Sequence, residues 1–384
     1  MIFTGSNIDV PQSIRTTFSH LLEPAISVSS AGTIYVTAHT AVQHVGRAPA
    51  FVGSGSPLRW AYLYHTDEFP GEEGQLTVDD QGHAWLFDNG AETMSLYKWC
   101  QEGAQPCGVN PDAWQSPLSY CGTALTDSPR VAWRNAKLTL VNYQGQGPGG
   151  QGYVQIGSVG ENGVGPTWNA CALGPGEAPG FPAMRGDGTF VVPQRQPRVN
   201  PTQIVIAKGT HPNFLSYATA FPIEETTLAG GCLPNYGWSG FSSSERLFLA
   251  AAKNQTAITI ATSSDLSTFT TTTVDLPGTV SAMWLATSRT SEGALLSYAI
   301  GNGCSGADFY AAHVRVVNGT LQVQDESFVA HAQLICRDFY GSAVGPSGTA
   351  YLVVFDATVN GCNGMSDYTT RPLTVYIQDA GPTL

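Results

Sequence analysis

The side chains in this sequence whose chemistry invites a function are histidines, tyrosines, arginines and tryptophans clustered between apolar runs. A long segment, TAHTAVQHVGRAPAFVGSGSPLRW, ends at Trp60 and carries His39, His44, Arg47 and Arg59. Further along come Arg130 and Trp133, Tyr143, Arg195 and Arg198, Tyr236 and Trp238, Arg337 with Asp338 and Tyr340, and Arg371. This mixture suits a sugar ligand: aromatic faces stack on the apolar C–H faces of pyranose rings, and guanidinium forks grip a carboxylate or sulfate bidentately. Elimination at a uronate needs a cation on the carboxylate, a base for the C5 proton and an acid for the leaving oxygen. His39 or His44 could serve as base, Tyr143, Tyr236 or Tyr340 as acid, and Arg130, Arg195 or Arg198 at the carboxylate. Arg47, Trp133, Trp238, Arg337 and Asp338 complete the candidate substrate-binding set. Hydrolysis would need two carboxylates, and the spacing of Asp67, Glu68, Glu224, Glu225, Asp338 and Asp356 singles out no pair.

Each candidate has a plainer explanation. Trp133, Trp238 and Trp284 fall on apolar strands, where packing between sheets accounts for an aromatic. His65 and His83 fall in a strand and a tight turn, where a structural role suffices. Arginine is far commoner than lysine in this chain; genome composition could explain that ratio but not the placement of arginines in loops.

Those loops are positioned by a repeat. Every fifty residues or so, an apolar run breaks at a polar or glycine turn and resumes, with turns centred on Gly32, Gly82, Asn135, Gly188, Glu245, Gly293 and Gly348. Runs rich in Val, Ile, Leu, Tyr and Phe around Gly, Asp, Asn or Ser read as β-hairpins. A second hairpin follows in most units, most clearly at Asn318-Gly319 and near Asp265 and Ser267. Four strands per unit at this period predict an all-β, seven-bladed β-propeller with four antiparallel strands per blade. A β-sandwich has no reason to keep the period, and a parallel solenoid repeats at half of it or less. The chain is expected to be one domain, with blades at about 21–70, 71–119, 120–170, 171–230, 231–277, 278–333 and 334–384. The last blade lacks a strand, and the N-terminal segment 1–20 is expected to supply it and close the ring.

On this map the segments leading from one blade to the next, and the loops between second and third strands, open on one rim, called the top. Cys121, Cys171, Cys232 and Cys336 map to the former and Cys304 and Cys362 to the latter, while Cys100 and Cys107 fall in the second hairpin of blade two. An even number of cysteines in loops, without a Cys-x-x-Cys pair, predicts disulfides and a secreted, periplasmic or cell-surface chain. Cys100–Cys107 and Cys121–Cys171 are the expected pairs; the other four admit three pairings. No metal or cofactor is expected: the Asp79-Asp80 and Gly186–Gly188 segments look like calcium-loop fragments but fit ordinary hairpin turns. A net charge of −12 argues against nucleic acid as a partner. No apolar run is long enough to span a membrane, and a monomer binding a glycan or polysaccharide is expected.

The whole chain, at the level of architecture, resembles the sialidase-like and related carbohydrate-active propellers. Locally, TSSDLSTFT from Thr262 to Thr270 is similar to their Asp-box hairpin: Ser263 and Asp265 match, Ser267 replaces the glycine, and Phe269 comes one residue early. The resemblance implies a structural turn there, not a catalytic one. The Phe/Tyr-Arg-Ile-Pro motif of a sialidase is absent; the nearest arginine, Arg15, lacks its context. Seven-bladed polysaccharide lyases are a looser analogy. The two functions carried forward are a secreted lyase or glycoside hydrolase with one site in the top mouth, and a non-catalytic glycan- or protein-binding propeller. Lectins of this shape repeat their binding residues from blade to blade; here those residues differ between blades, which favours a single asymmetric site.

Overall fold

A computed structural model describes residues 1–8, 22–39, 50–54, 58–64, 71–78, 84–90, 93–99, 116–117, 130–134, 137–144, 151–158, 167–173, 177–196, 201–210, 215–224, 237–302, 306–332, 340–355 and 373–384. Among them every regular element is a strand. Strand β1 (Ile2–Ile8) opens the chain. The first sheet follows, with β2 (Leu22–Val28), β3 (Ile34–His39), β4 (Ala50–Ser54) and β5 (Arg59–Tyr64), and the second has β6 (Gly71–Val78), β7 (Ala84–Gly90), β8 (Thr93–Trp99) and β9 (Ser116–Pro117). The third holds β10 (Arg130–Arg134), β11 (Lys137–Gln144), β12 (Gln151–Ser158) and β13 (Thr167–Leu173). The fourth holds β14 (Glu177–Pro179), β15 (Ala183–Met184), β16 (Phe190–Gln196), β17 (Gln203–Gly209) and β18 (Ser216–Pro222). The fifth holds β19 (Trp238–Phe241), β20 (Leu247–Asn254), β21 (Ala257–Ser263) and β22 (Thr270–Asp275); the sixth holds β23 (Val280–Thr287), β24 (Ala294–Asn302), β25 (Gly306–Val317) and β26 (Thr320–Ala332). The last is ordered β1-β29-β28-β27, from β27 (Tyr340–Val344), β28 (Ala350–Phe355) and β29 (Leu373–Ala380).

All pairings are antiparallel, and the innermost strands close a circuit: β2 touches β6, β6 touches β10, β10 touches β15, β15 touches β19, β19 touches β23, β23 touches β27 and β27 touches β2. That is the arrangement of a β-propeller. The N-terminal strand takes the outer place of the last sheet, running antiparallel to β29 from Phe3↔Gln378 to Ile8↔Leu373.

The sequence explains why sheets stack face to face. In β20 the run LFLAAA is buried at every residue, because each face meets a neighbour. Leu247, Leu249 and Ala251 pack with Ile204 and Ile206 of the fourth sheet, whereas Phe248, Ala250 and Ala252 pack with Leu285, Leu296 and Tyr298 of the sixth. Each fully buried Leu, Ile or Phe contributes about 1.5–3 kcal/mol, so an interior strand needs two apolar faces rather than alternation.

Two turn types recur. In the first hairpins of four sheets the same pair of backbone bonds closes the turn, for example Arg185 N to Thr189 O (2.8 Å) with Gly188 N to Arg185 O (3.0 Å), and Ser242 N to Arg246 O (3.0 Å) with Glu245 N to Ser242 O (3.1 Å). The fourth turn residue has positive φ: Gly32, Gly188 and Gly348 in three sheets, but Glu245 (φ 60°) in the fifth. The Asn318-Gly319 turn joins β25 to β26 with both residues at positive φ, as its sequence requires. At Thr262–Thr270 the Asp-box-like turn is formed in full. The Asp265 carboxylate accepts from the Thr268 and Ser267 amides (2.8 Å each), the Thr268 hydroxyl (2.9 Å) and the Ser263 hydroxyl (3.0 Å), which holds it far below the usual carboxylate range.

Three expectations need correction. The fourth sheet has five strands because Gly180-Phe181-Pro182 splits its first strand into β14 and β15; Pro182 has no N–H to give a ladder. The long first loop is interrupted by β4, so Arg59 opens β5 on the rim opposite His39. A blade boundary at 170/171 cuts through β13, where Cys171 sits opposite Gln155 within the third sheet rather than in a connecting segment.

His313 is a fully buried group between the sixth and seventh sheets. Its Nδ1 lies 3.2 Å from Asp325 Oδ2, and Nε2 has no hydrogen-bond partner. Burial lowers its pKa, with Arg315 and the Met1 amine acting in the same sense and Asp325 opposing them. The unfolded chain then binds more protons than the fold as pH falls below about 6.5, so stability present above that value is lost on acidification. We expect urea midpoints to fall between pH 7 and 5.5, and His313→Leu to flatten that slope; an unchanged slope would show that other groups set it.

Candidate functional site

On the rim that carries the first-hairpin turns, side-chain bonds tie the third to seventh sheets together. In the fifth sheet the Glu245 carboxylate receives the Arg134 guanidinium from the third sheet and the Gly186 amide from the fourth (3.1 Å). The Arg185 guanidinium donates to the Glu245 carbonyl (3.0 Å) and the Ser264 carbonyl (2.7 Å), and lies over the Phe241 ring at 5.2 Å. Ser243 and Ser244 donate to Glu292 of the sixth sheet, holding its carboxyl below the ordinary value, and Thr290 donates to the Pro346 carbonyl of the seventh (2.7 Å). Glu245 therefore combines a strained left-handed backbone with a carboxylate shared by three sheets. Glu245→Gly is expected to lose the link but relieve the strain, leaving it about 1 kcal/mol more stable than Glu245→Ala in urea titrations. Equal midpoints would mean that the turn is not strained.

Candidate residues collect on the opposite rim, where first and third strands begin and second and fourth strands end. His39 ends β3, Arg130 opens β10, Tyr143 and Arg195 stand one residue from the ends of β11 and β16, and Trp238 and Tyr340 open β19 and β27. Register places Tyr143 opposite Gly152, Arg130 opposite Val141 and Tyr340 opposite Val354. The fold thus brings a histidine, two tyrosines and two arginines from four sheets to the top ends of their strands. Trp133 does not join them: it is the penultimate residue of β10, beside the tied rim, opposite Leu138. His44, Arg47, Arg198, Tyr236, Arg337 and Asp338 lie outside the described residues, as do Cys100, Cys107, Cys121, Cys232, Cys304, Cys336 and Cys362.

Trp238 is on the right rim but in a different role. It is 4 % exposed, with the Phe181 ring stacked on it at 3.6 Å and 9° and the Trp284 ring at 4.1 Å and 43°. These three residues come from the innermost chain segments of the fourth, fifth and sixth sheets, and they form one aromatic cluster, since the Phe181 and Trp284 rings also meet directly at 5.2 Å and 52°. Trp238 is its buried member; Phe181 and Trp284 keep partly exposed surface. Sequence reading passed over Phe181. The available signal was Gly180 before it, whose amide makes the last bond to β16 before the break (to Pro193 O, 2.7 Å), and Pro182 after it, which has no N–H to give. A Cβ on Gly180 would run into the Gly237 carbonyl. That close approach lets Phe181 N donate to Gly237 O (3.0 Å) and Ser239 Oγ donate to Phe181 O (2.6 Å), setting the ring against Trp238.

Carboxylates at this rim are partly engaged. Glu224 accepts from the Asn254 amide (2.9 Å) and lies 3.6 Å from Lys253 Nζ, so it is already committed to charge and amide partners. Glu225, Asp67, Glu68 and Asp356 lie outside the described residues. No cluster of three or more His, Cys, Asp or Glu side chains suited to a metal occurs among the described residues. Asp187, in the calcium-like Gly186–Gly188 fragment, uses its carboxylate on the Thr189 amide (2.7 Å), as a hairpin turn does. No helix of the described residues is long and apolar enough to cross a membrane.

No family model matches the sequence, and no curated protein matches it. Solved structures with a similar chain path include the α-L-arabinofuranosidase Arb93A of Fusarium graminearum bound to an iminosugar inhibitor, at 13% identity and TM-score 0.49, covering 85% of this chain and 98% of that one. The intramolecular trans-sialidase of Ruminococcus gnavus matches at 11% identity and TM-score 0.47, with 94% of each chain covered. The six-bladed fucose-recognising lectin of Aleuria aurantia matches at 10% identity and TM-score 0.47, covering 79% of this chain and 94% of that one. These likenesses concern the fold; the chemistry of this chain has to be argued from its own residues.

Proposed function

We propose that this chain is a carbohydrate-active propeller that takes a glycan into the mouth at its top rim. The observation that carries this reading is the contrast between the rims: turn-to-turn bonds tie one, and His39, Arg130, Tyr143, Arg195 and Tyr340 stand at the strand ends of the other, the rim at which Trp238 opens β19. Aromatic surface for C–H faces and guanidinium groups for a carboxylate are what an acidic or mixed polysaccharide needs. Different residues in each sheet favour one asymmetric site over a ring of equivalent ones. The enzyme reading assigns His39 or His44 as base, Tyr143, Tyr236 or Tyr340 as acid, and Arg130, Arg195 or Arg198 as carboxylate ligands.

An even number of cysteines without a Cys-x-x-Cys pair supports secretion and disulfide bonding, to be checked by peptide mapping without reduction. Function is tested by incubating the purified protein with uronate-containing and neutral polysaccharides, reading unsaturated products, reducing ends and binding stoichiometry together. Turnover lost in Arg130→Ala supports the enzyme; binding at one site without turnover supports a lectin-like module; several equivalent sites, or no glycan binding at all, would overturn the single-mouth reading.

A further inference from the structure

The outer edge of the sixth sheet carries a second feature that the mouth does not use. Tyr298, Tyr310 and Phe328 form one cross-strand row over β24, β25 and β26, in register as Tyr298↔Tyr310 and Tyr310↔Phe328. The row runs outward: Tyr298 is 1% exposed and stacks on Tyr310 at 5.6 Å, and Tyr310 meets Phe328 edge-to-face at 5.9 Å and 77°. Phe328, at 54% exposed, is one of only three large hydrophobic residues exposed among those described. Burial, followed by a hydrogen bond from the Tyr298 hydroxyl to the Glu326 carboxylate, raises the pKa of that phenol, and Glu326, itself exposed, sits two residues before Phe328.

The backbone of β26 is shaped for this. Its register shifts twice, between Ala311 and His313 and between Phe309 and Tyr310, so extra residues fall on either side of Phe328. Asp325, in the first bulge, has φ 56°, and Ser327 Oγ donates to its carbonyl (3.1 Å). Bulges re-aim side chains, and a non-glycine residue at positive φ stores strain that the surroundings must hold.

The geometry points to a second glycan-binding subsite here, for a neutral sugar, with Phe328 as stacking platform and Glu326 as hydroxyl acceptor. One exposed ring face flanked by a fixed carboxylate matches a single pyranose or furanose. It is far too small for a stable protein partner, which needs on the order of 1,200 Å² of buried surface. Glu326 and the chain's net charge of −12 disfavour an acidic sugar. The subsite shares with the mouth only the class of ligand.

The test is a titration of the whole chain with cellohexaose, xylohexaose and arabinohexaose, with hexagalacturonate as the acidic counterpart, followed by saturation-transfer NMR and calorimetry. For at least one neutral oligosaccharide, Phe328→Ala is expected to weaken binding about tenfold or more, Phe328→Trp to restore it, and Glu326→Gln to weaken it less. Circular dichroism must show each variant folded, which the exposure of Phe328 and Glu326 allows. If Phe328→Ala changes no affinity while Arg130→Ala removes glycan binding, the subsite is refuted and the mouth stands; the reverse pattern keeps the subsite and refutes the mouth. Loss of self-association in Phe328→Ala, read by sedimentation, without any glycan effect would mark the patch as a contact between copies and overturn the proposal.

Discussion

Deleting residues 1–8 should open the ring and lower the melting temperature of the whole protein, not trim a tail. Strand β1 is the outer strand of the last sheet, and Ile8 is fully buried against Ile26, Val36, Phe51 and Val375. Its side chains are bonded on both sides: Trp60 Nε1 of the first sheet donates to Ser6 Oγ (3.0 Å), and the Thr374 hydroxyl of β29 donates to Asn7 (2.9 Å). Losing Ile8 alone is worth about 2–5 kcal/mol. Losing the strand further removes a ladder of backbone bonds and bares β29 as an edge ready to pair with another molecule. Differential scanning calorimetry and light scattering should therefore show a lower midpoint together with association. A truncated protein that melts at the wild-type temperature as a monomer would disprove closure by β1.

Trp238→Ala is expected to cost about 3–5 kcal/mol, the range for truncating a well-packed aromatic. Beyond that cost it removes one of the two rings against which each of Phe181 and Trp284 packs. Trp238→Phe should recover most of the stability and keep glycan binding. The discriminating comparison is with Trp284→Phe, whose ring keeps partial exposure: it should perturb glycan-induced fluorescence changes more than it perturbs the urea midpoint. If Trp238→Ala left stability intact and abolished binding, the buried tryptophan would be a ligand contact after all.

Trp238 and Trp133 show where sequence reading runs out. Both were legible as tryptophans on first strands. Which end of the strand each occupies, and whether its faces are covered, depends on strand boundaries good to a few residues and on neighbours some fifty residues away. Trp133 falls at the tied rim because β10 ends at Arg134, one residue later. Phe181 escaped notice because its role comes from a break in pairing at Gly180 and Pro182, which a hairpin template does not contain. The outer row of Tyr298, Tyr310 and Phe328 was equally hidden, since its members are brought together by register and by two bulges.

What the sequence determined by itself was the all-β repeat, its turns and its closure. Local turn chemistry, as at Asn318-Gly319 and Asp265, and apolar runs with two buried faces, as in LFLAAA, act over a few residues, and such signals survive without a structure. The partners of Glu245, the burial of Trp238 and the free Nε2 of His313 were decided by tertiary structure alone. Each depends on which residues of separate sheets meet around a common axis, and nothing in the spacing along one chain encodes that meeting.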